Sequence, residues 1–364
     1  MTQPAPRPAV TADPPICLVL NTGRCGSTLL SDVVAEHPDA LSVSELFSSV
    51  PEHELVERYL DGTAFWQLLS RRTRVDLMML RCGIGVDELR YPVDAPRPGA
   101  SRFARGTGLP PPPIAQVTLP HLTDRPDDLF DEIGRAAVRL PSRPLSRHLQ
   151  WLFRALCGDR RPAVAVERSG GSLAYAARLL RLFPDARVLH LYRDGRECAL
   201  SMSRHVRYRM AIVRSRMAAQ LGYDPYGDDL PDGMPQDATG LDAPLRGLLP
   251  AHATRAAYDG YEIPVSRYGT VWSKMIIEGL GALRGRPDVL SLDYRRLVSS
   301  PQEAIGAVLD FLHLDRNEQW ERRMAARIRP SRDARTTVDD QCWRELTRAC
   351  LSGMNRLYGR GGWN

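Results

Sequence analysis

The sequence predicts an α/β fold, a central parallel sheet flanked by helices, and three stretches of chain carry that expectation. Near the start an apolar run leads into a glycine-containing loop and then an amphipathic stretch. In mid-chain a helical stretch, an apolar strand, a turn and another helix follow one another. Toward the end a further strand precedes a segment with strong helix-start signals.

The first run is Ile16-Cys17-Leu18-Val19-Leu20, set after Pro14-Pro15, and its continuous apolar character reads as a buried parallel strand. Ser27 to His37 follows the loop, and Leu29, Leu30, Val33 and Val34 have the spacing of one helix face, which Pro38 ends. Strand, loop and helix in that order make the first half of a βαβ unit. Ser172 to Phe183 reads as a helix through Leu173, Ala176, Ala177, Leu179 and Leu180. The strand Val188–Tyr192, the turn Arg193-Asp194-Gly195 and a helix from about Arg196 to Arg204 come next. Val289–Leu292 reads as a third strand. Ser300-Pro301-Gln302-Glu303 then combines a serine N-cap, proline at the first helical position and a glutamate for a capping box.

Two stretches break the alternation, about 90–126 with its four successive prolines and about 206–269 with its Gly-Asp-Asp and Pro-Asp-Gly turns. Both read as insertions over the functional edge of one sheet. The expected organisation is a disordered tail over 1–14 and a single domain over 15–364.

The 364 residues are ordinary in composition for a soluble enzyme, with 43% hydrophobic and 25% charged residues. A net charge of +6, mostly arginine, favours an anionic partner, but no basic run is dense enough for a nucleic-acid arm. Seven scattered cysteines without a CxxC pair indicate neither a metal site nor a disulfide framework. No signal peptide or transmembrane run is visible, so a cytoplasmic protein without membrane insertion is expected. The arginine- and alanine-rich composition suggests a bacterial source with GC-rich DNA.

The loop Gly23-Arg24-Cys25-Gly26-Ser27-Thr28 joins a buried strand to a helix N-terminus, where free N–H groups and the helix dipole face an anion. Gly23 and Gly26 let the backbone approach closely, Ser27 and Thr28 add hydroxyl donors, and Arg24 adds a forked cation. An ATP-dependent phosphotransferase of the P-loop type is the competing reading. Its G-x-x-x-x-G-K-[ST] motif needs lysine before Ser or Thr, and here Gly26 stands before Ser27.

Val19 to Leu30, VLNTGRCGSTLL, resembles the 5′-phosphosulfate loop of sulfotransferases that use 3′-phosphoadenosine 5′-phosphosulfate (PAPS). Val188 to Ser201, VLHLYRDGRECALS, resembles that family's 3′-phosphate motif, an arginine at a strand end with serine eight positions later. Its RDGR form is similar to that of tyrosylprotein sulfotransferases and bacterial members. Val166-Glu167-Arg168-Ser169 resembles the E-K-[TS]-P element, with Arg168 for lysine. Asp293-Tyr294-Arg295-Arg296-Leu297 resembles R-Y-E-D-L and departs at three positions, so structure and no chemistry is assigned to it.

The resemblance implies a P-loop-like sheet and transfer of a sulfuryl group from PAPS to a hydroxyl of a small molecule, natural product or glycan. It implies release of adenosine 3′,5′-bisphosphate (PAP) without a metal. Gly23 to Thr28 would hold the 5′ end, and Arg193 and Ser201 the 3′-phosphate, in the crevice at the strand ends. Arg24 and Arg168 would neutralise charge on the leaving phosphate. Glu45, in a second short strand region and expected close to Arg24, corresponds to the general base of bacterial and tyrosylprotein members. A bland alternative makes it a loop carboxylate or Arg24's ion-pair partner.

Animal cytosolic members use histidine, which brings His53, His190 and His205 into consideration. Cys25 lies at a helix N-terminus, a setting that lowers a thiol pKa, yet the chemistry needs no thiol and a small loop-fitting residue is the plainer reading. Trp272 reads as structural rather than as an adenine platform, and Arg360, Gly361 and Gly362 are similar to a segment that closes over PAP in some members.

Overall fold

The computed structural model describes residues 13–227, 239–329 and 334–359. Arg360, Gly361 and Gly362, and the expected tail up to residue 12, lie outside the described residues.

Five strands form one parallel sheet: β1 (Ile16–Asn21), β2 (Ala40–Ser44), β3 (Val164–Arg168), β4 (Arg187–Tyr192) and β5 (Val289–Asp293), in the order β2-β3-β1-β4-β5. The first two strands read from sequence are present with ends extended by a residue, and the third is extended through Asp293. β1 lies at the centre because its apolar residues are covered on both faces, with Cys17, Leu18 and Leu20 fully buried. Register places Val19 opposite Arg168, Ser44 opposite Arg168, and Tyr192 opposite Asp293. The C-terminal ends of all five strands therefore share one edge.

The glycine loop leaves this edge after β1 and enters the helix Ser27–Ala35. The predicted helix over 172–183 begins as a 3-10 turn, Ser172–Tyr175, before the α-helix Ala176–Leu182. On one side of the sheet the helix Val265–Ala282 packs against the helices Gly195–Ser203 and Asp340–Tyr358, and this close approach explains two glycines. A Cβ on Gly353 would meet Trp272 at 2.6 Å, and one on Gly195 would meet the same ring at 2.5 Å. Trp272 is fully buried in that seam and is structural, as read from sequence.

The capping box expected at Ser300 is not made. Ser300 N–H bonds to Arg296 carbonyl at 3.0 Å, ending the helix Tyr294–Ser299, and the side chain caps nothing in the helix Pro301–Leu312. One residue serves as the end of one helix and the start of the next, and its backbone (φ −136, ψ 60) follows the first role.

The second insertion supplies the helix Val206–Leu221, and the helix Val265–Ala282 runs straight through its expected end at 269. Val206, Met210, Val213 and Met217 pack on Val75, Met78 and Met79 of the helix Arg74–Arg81, forming a small apolar cluster of their own. Arg207 Nη2 donates to Gln116 Oε1 at 2.6 Å, which ties the two insertions together above the sheet edge. Among the described residues no helix is long and apolar enough to cross a membrane.

Candidate active site

Asn21, Arg24, Glu45, Arg168 and Arg193 sit at or just beyond the C-terminal ends of strands. Asn21, the last residue of β1, uses its side-chain oxygen to accept from Gly23 N–H at 2.8 Å and its amide to donate to the Val19 and Ser169 carbonyls. That fixes the turn into the loop. Gly23 and Gly26 adopt φ 74 and 90, as their residue type allows. The tyrosines explain why these positions also lack a Cβ. One on Gly23 would run into the Tyr208 hydroxyl, and one on Gly26 would lie 2.5 Å from the Tyr294 ring.

Arg24 stands between the glycines in the left-handed region, φ 57. Its Nε donates to Ser201 Oγ at 3.0 Å, so the loop and the RDGR segment meet directly. Its Nη1 is paired with Glu88, a carboxylate from the irregular chain before the first insertion. The other Glu88 oxygen lies 2.6 Å from His205 Nε2. Burial alone would raise the Glu88 pKa. The His205 hydrogen bond and charge and the Arg24 charge overcome that and hold it at about 2.

Arg193, one residue past β4, is paired with Glu197 one helical turn on, and its guanidinium stacks 4.4 Å from the Tyr294 ring centroid. Ser201 follows on the helix Gly195–Ser203. Ser27 is buried at the first position of its helix and Thr28 is exposed beside it.

Glu45 lies one residue past β2, with φ 59, and its N–H bonds to the Arg168 carbonyl at 2.8 Å. Its carboxylate is paired with Arg168, not with Arg24, and also accepts from Gly170 N–H at 3.0 Å and Ser48 Oγ at 2.5 Å. The alternative that made Glu45 the ion-pair partner of Arg24 is thus corrected: β2 and β3 are neighbours, and their register aims Glu45 at the adjacent strand's arginine. Arg168 is 4% exposed, and Ser44 Oγ accepts a further hydrogen bond from it at 3.3 Å. Beneath this pair Glu167 is fully buried and accepts from Ser169 Oγ at 2.6 Å. Burial, reinforced by the nearby Glu45 charge, raises its pKa to about 8.

Of the histidines, His205 has both nitrogens engaged, Nε2 with Glu88 and Nδ1 as acceptor from Arg207 N–H at 3.3 Å. His190 is buried in β4, stacked on Tyr192, with burial lowering its pKa to about 4. His53 is an exposed neighbour of Glu54. The hydrogen bonds of His190 and His205 go to groups other than Glu45 and Arg24.

Cys25 accords with the plainer reading of a small residue that fits the loop. It is 0% exposed, and burial pushes its thiol up to about 11, which outweighs the lowering that a helix terminus would bring.

Sequence reasoning missed three site residues: Glu88, Tyr208 and Tyr294. Tyr208, on the insertion helix Val206–Leu221, donates to the Thr22 carbonyl at 2.8 Å and roofs the loop. The DYRRL stretch was the one available pointer to Tyr294. Glu88 lay two residues ahead of the expected insertion boundary, and Tyr208 lay inside an insertion with no motif.

No protein-family model matches the chain, and no curated protein matches it. Solved structures do. The sulfotransferase domain of the Synechococcus PCC 7002 olefin synthase is 16% identical, with 96% of this chain and 98% of that one covered and a TM-score of 0.41. Sulfotransferase STF9 from Mycobacterium avium is 15% identical over 95% and 77%, with a TM-score of 0.44. A sulfotransferase from Alicyclobacillus acidocaldarius is 14% identical over 95% of each chain, with a TM-score of 0.39. The structures to which this chain is similar are in all three cases sulfotransferases.

Proposed function

We propose that this chain is a PAPS-dependent sulfotransferase acting on a hydroxyl acceptor. The observation that carries the reading is the Arg24–Ser201 hydrogen bond, which joins the two nucleotide half-sites read from sequence. An anion already suits this place, since the Glu88 carboxylate is held on Arg24.

In this reading the glycine loop and the first turn of the helix Ser27–Ala35 hold the 5′-phosphosulfate, and Arg193 with Ser201 holds the 3′-phosphate. Glu45 accepts the acceptor's hydroxyl proton as the oxygen attacks sulfur. The new bond is O–S, and the bond broken joins sulfur to the bridging oxygen, which leaves with PAP. Arg24 and Arg168 offset the charge that gathers on that oxygen and on the phosphate. Pairing with Arg168 keeps Glu45 aimed in a mostly buried place.

The acceptor would enter beside Glu45, beneath the two insertions, where a small molecule, natural product or glycan hydroxyl is the class expected. No nucleic acid and no membrane insertion enter this reading, and a cytoplasmic, bacterial setting accords with it. The chain from 15 to 364 acts as one catalytic unit.

The test is calorimetric binding of PAP and ATP, followed by transfer of label from PAPS to a panel of hydroxyl acceptors. PAP binding that is lost on Arg193→Ala, together with label transfer, is the expected result. No PAP binding, or equal binding of ATP, sinks the assignment and favours the phosphotransferase.

A further inference from the structure

Three arginines face the crevice, and each has a carboxylate on it: Arg24 with Glu88, Arg168 with Glu45, Arg193 with Glu197. An anionic nucleotide entering the crevice meets cations that are already neutralised. Binding therefore requires some carboxylate to yield, and the three differ in how firmly they are held.

Glu197 lies in the first turn of the helix Gly195–Ser203, four residues after Arg193, so this pair is held by a short stretch of ordered chain. Glu45 is held by Arg168, by Gly170 N–H and by Ser48 Oγ, at a strand end in the sheet. Glu88 sits on chain outside any helix or strand, between the helix Arg74–Arg81 and the first insertion. The nearest described anchors of that chain are the N–H groups of Arg90 and Tyr91 on the Gln116 carbonyl, at 2.9 and 3.2 Å, and the N–H of Leu89 on Val86. Its carboxylate is a quarter exposed and Arg24 a third.

We propose that Glu88 is a built-in occupant of the donor's phosphate place, and that the nucleotide binds by displacing its carboxylate from Arg24. The proposal rests on the sulfotransferase reading of the site and adds its regulation. Its geometry is specific. One Glu88 oxygen is on Arg24 and the other on His205, so the carboxylate loses one partner on displacement and keeps the other. His205 caps the helix that carries Tyr208, and Tyr208 is bonded to the loop at Thr22. Displacing Glu88 therefore frees Arg24 and loosens a segment lying against the roof of the donor loop. A site that is mostly occupied by its own carboxylate binds its ligand more weakly by the fraction of time it stands free.

The experiment measures PAP affinity by calorimetry for wild type, Glu88→Gln and Glu88→Ala, with hydrogen exchange of residues 83–91 in wild type with and without PAP. Both variants are expected to bind PAP about tenfold more tightly, and PAP is expected to speed exchange over 83–91. Glu88→Gln, of the same shape, gives the answer if Glu88→Ala unfolds the segment. Equal or weaker PAP binding by Glu88→Gln, at an unchanged melting temperature, overturns the proposal while the sulfotransferase reading stands. Failure of wild type and both variants to bind PAP overturns both.

Discussion

Arg24 and Ser201 stand 177 positions apart in the chain, yet the Nε of one donates to the Oγ of the other at 3.0 Å. The contact joins the loop after β1 to the helix after β4, which are adjacent strands in the sheet. It makes the two proposed phosphate positions one connected surface, and it sets the first prediction.

Arg24→Ala is expected to lower kcat by about 10²–10³, because a cation aimed at developing charge is lost. Arg193→Ala is expected to weaken PAP binding and raise the donor KM, with a smaller effect on kcat. Steady-state kinetics with PAPS as the varied substrate separates the two. Equal effects of both variants on kcat alone would contradict the division of roles.

Glu45→Gln is expected to reduce kcat by about 10²–10⁴, the usual range for loss of a general base. It also strands Arg168, 4% exposed, without its counter-charge, so a stability loss of about 3–5 kcal/mol accompanies it. Ser48→Ala removes one hydrogen bond from Glu45 and should cost only about 1 kcal/mol. Denaturant melts beside the rate assay check the pair. Wild-type kcat in a folded Glu45→Gln protein would remove Glu45 from the chemistry.

Cys25→Ser should keep activity within a few-fold, and folded wild type should resist alkylation at Cys25 at pH 7.5. The thiol is fully buried and its pKa lies at about 11, so almost none is thiolate. A loss on the scale of Arg24→Ala would reverse this view.

The sequence was most readable where chemistry and geometry are local. A buried strand, a glycine turn and a helix start lie within twenty residues, and Arg193 with Ser201 on one strand-helix unit does as well. Glu45 was found but its partner was not, because partner choice depends on which strand lies next to β2, a long-range fact. Glu88 and Tyr208 reach the loop from irregular chain and from an insertion, where no periodicity marks the residue that turns inward. Ser300 misled because the local helix-start rule is outweighed there by the end of the preceding helix.

Glu167 gives a prediction in pH. Its folded pKa, raised to about 8, exceeds that of an unfolded glutamate near 4.5, so the folded state holds its proton more tightly. Stability from this group is fully present below about pH 4.5 and is lost as pH rises toward 8. Glu167→Gln, which keeps an acceptor for Ser169, should therefore match wild type at pH 4 and be more stable at pH 8.5 by a few kcal/mol. Melting curves across that range decide it, and a pH-independent difference would contradict the buried neutral acid.

Among the described residues, the non-glycine positions with φ near +60 are Arg24, Glu45 and His313. Two of these three are the proposed cation and base, held in a backbone region that costs a non-glycine residue about 1–2 kcal/mol. Glycine would relax the backbone at Arg24, so a stabilising substitution is available there at the expense of the side chain, whereas at Glu45 loss of the Arg168 pair outweighs the backbone relief. A lineage released from its reaction should lose Arg24 to glycine or asparagine early, while the buried Arg168 and Glu45 pair erodes together or not at all. The identity of residue 24 thus serves as a marker, in any descendant of this chain, of whether selection still acts on turnover.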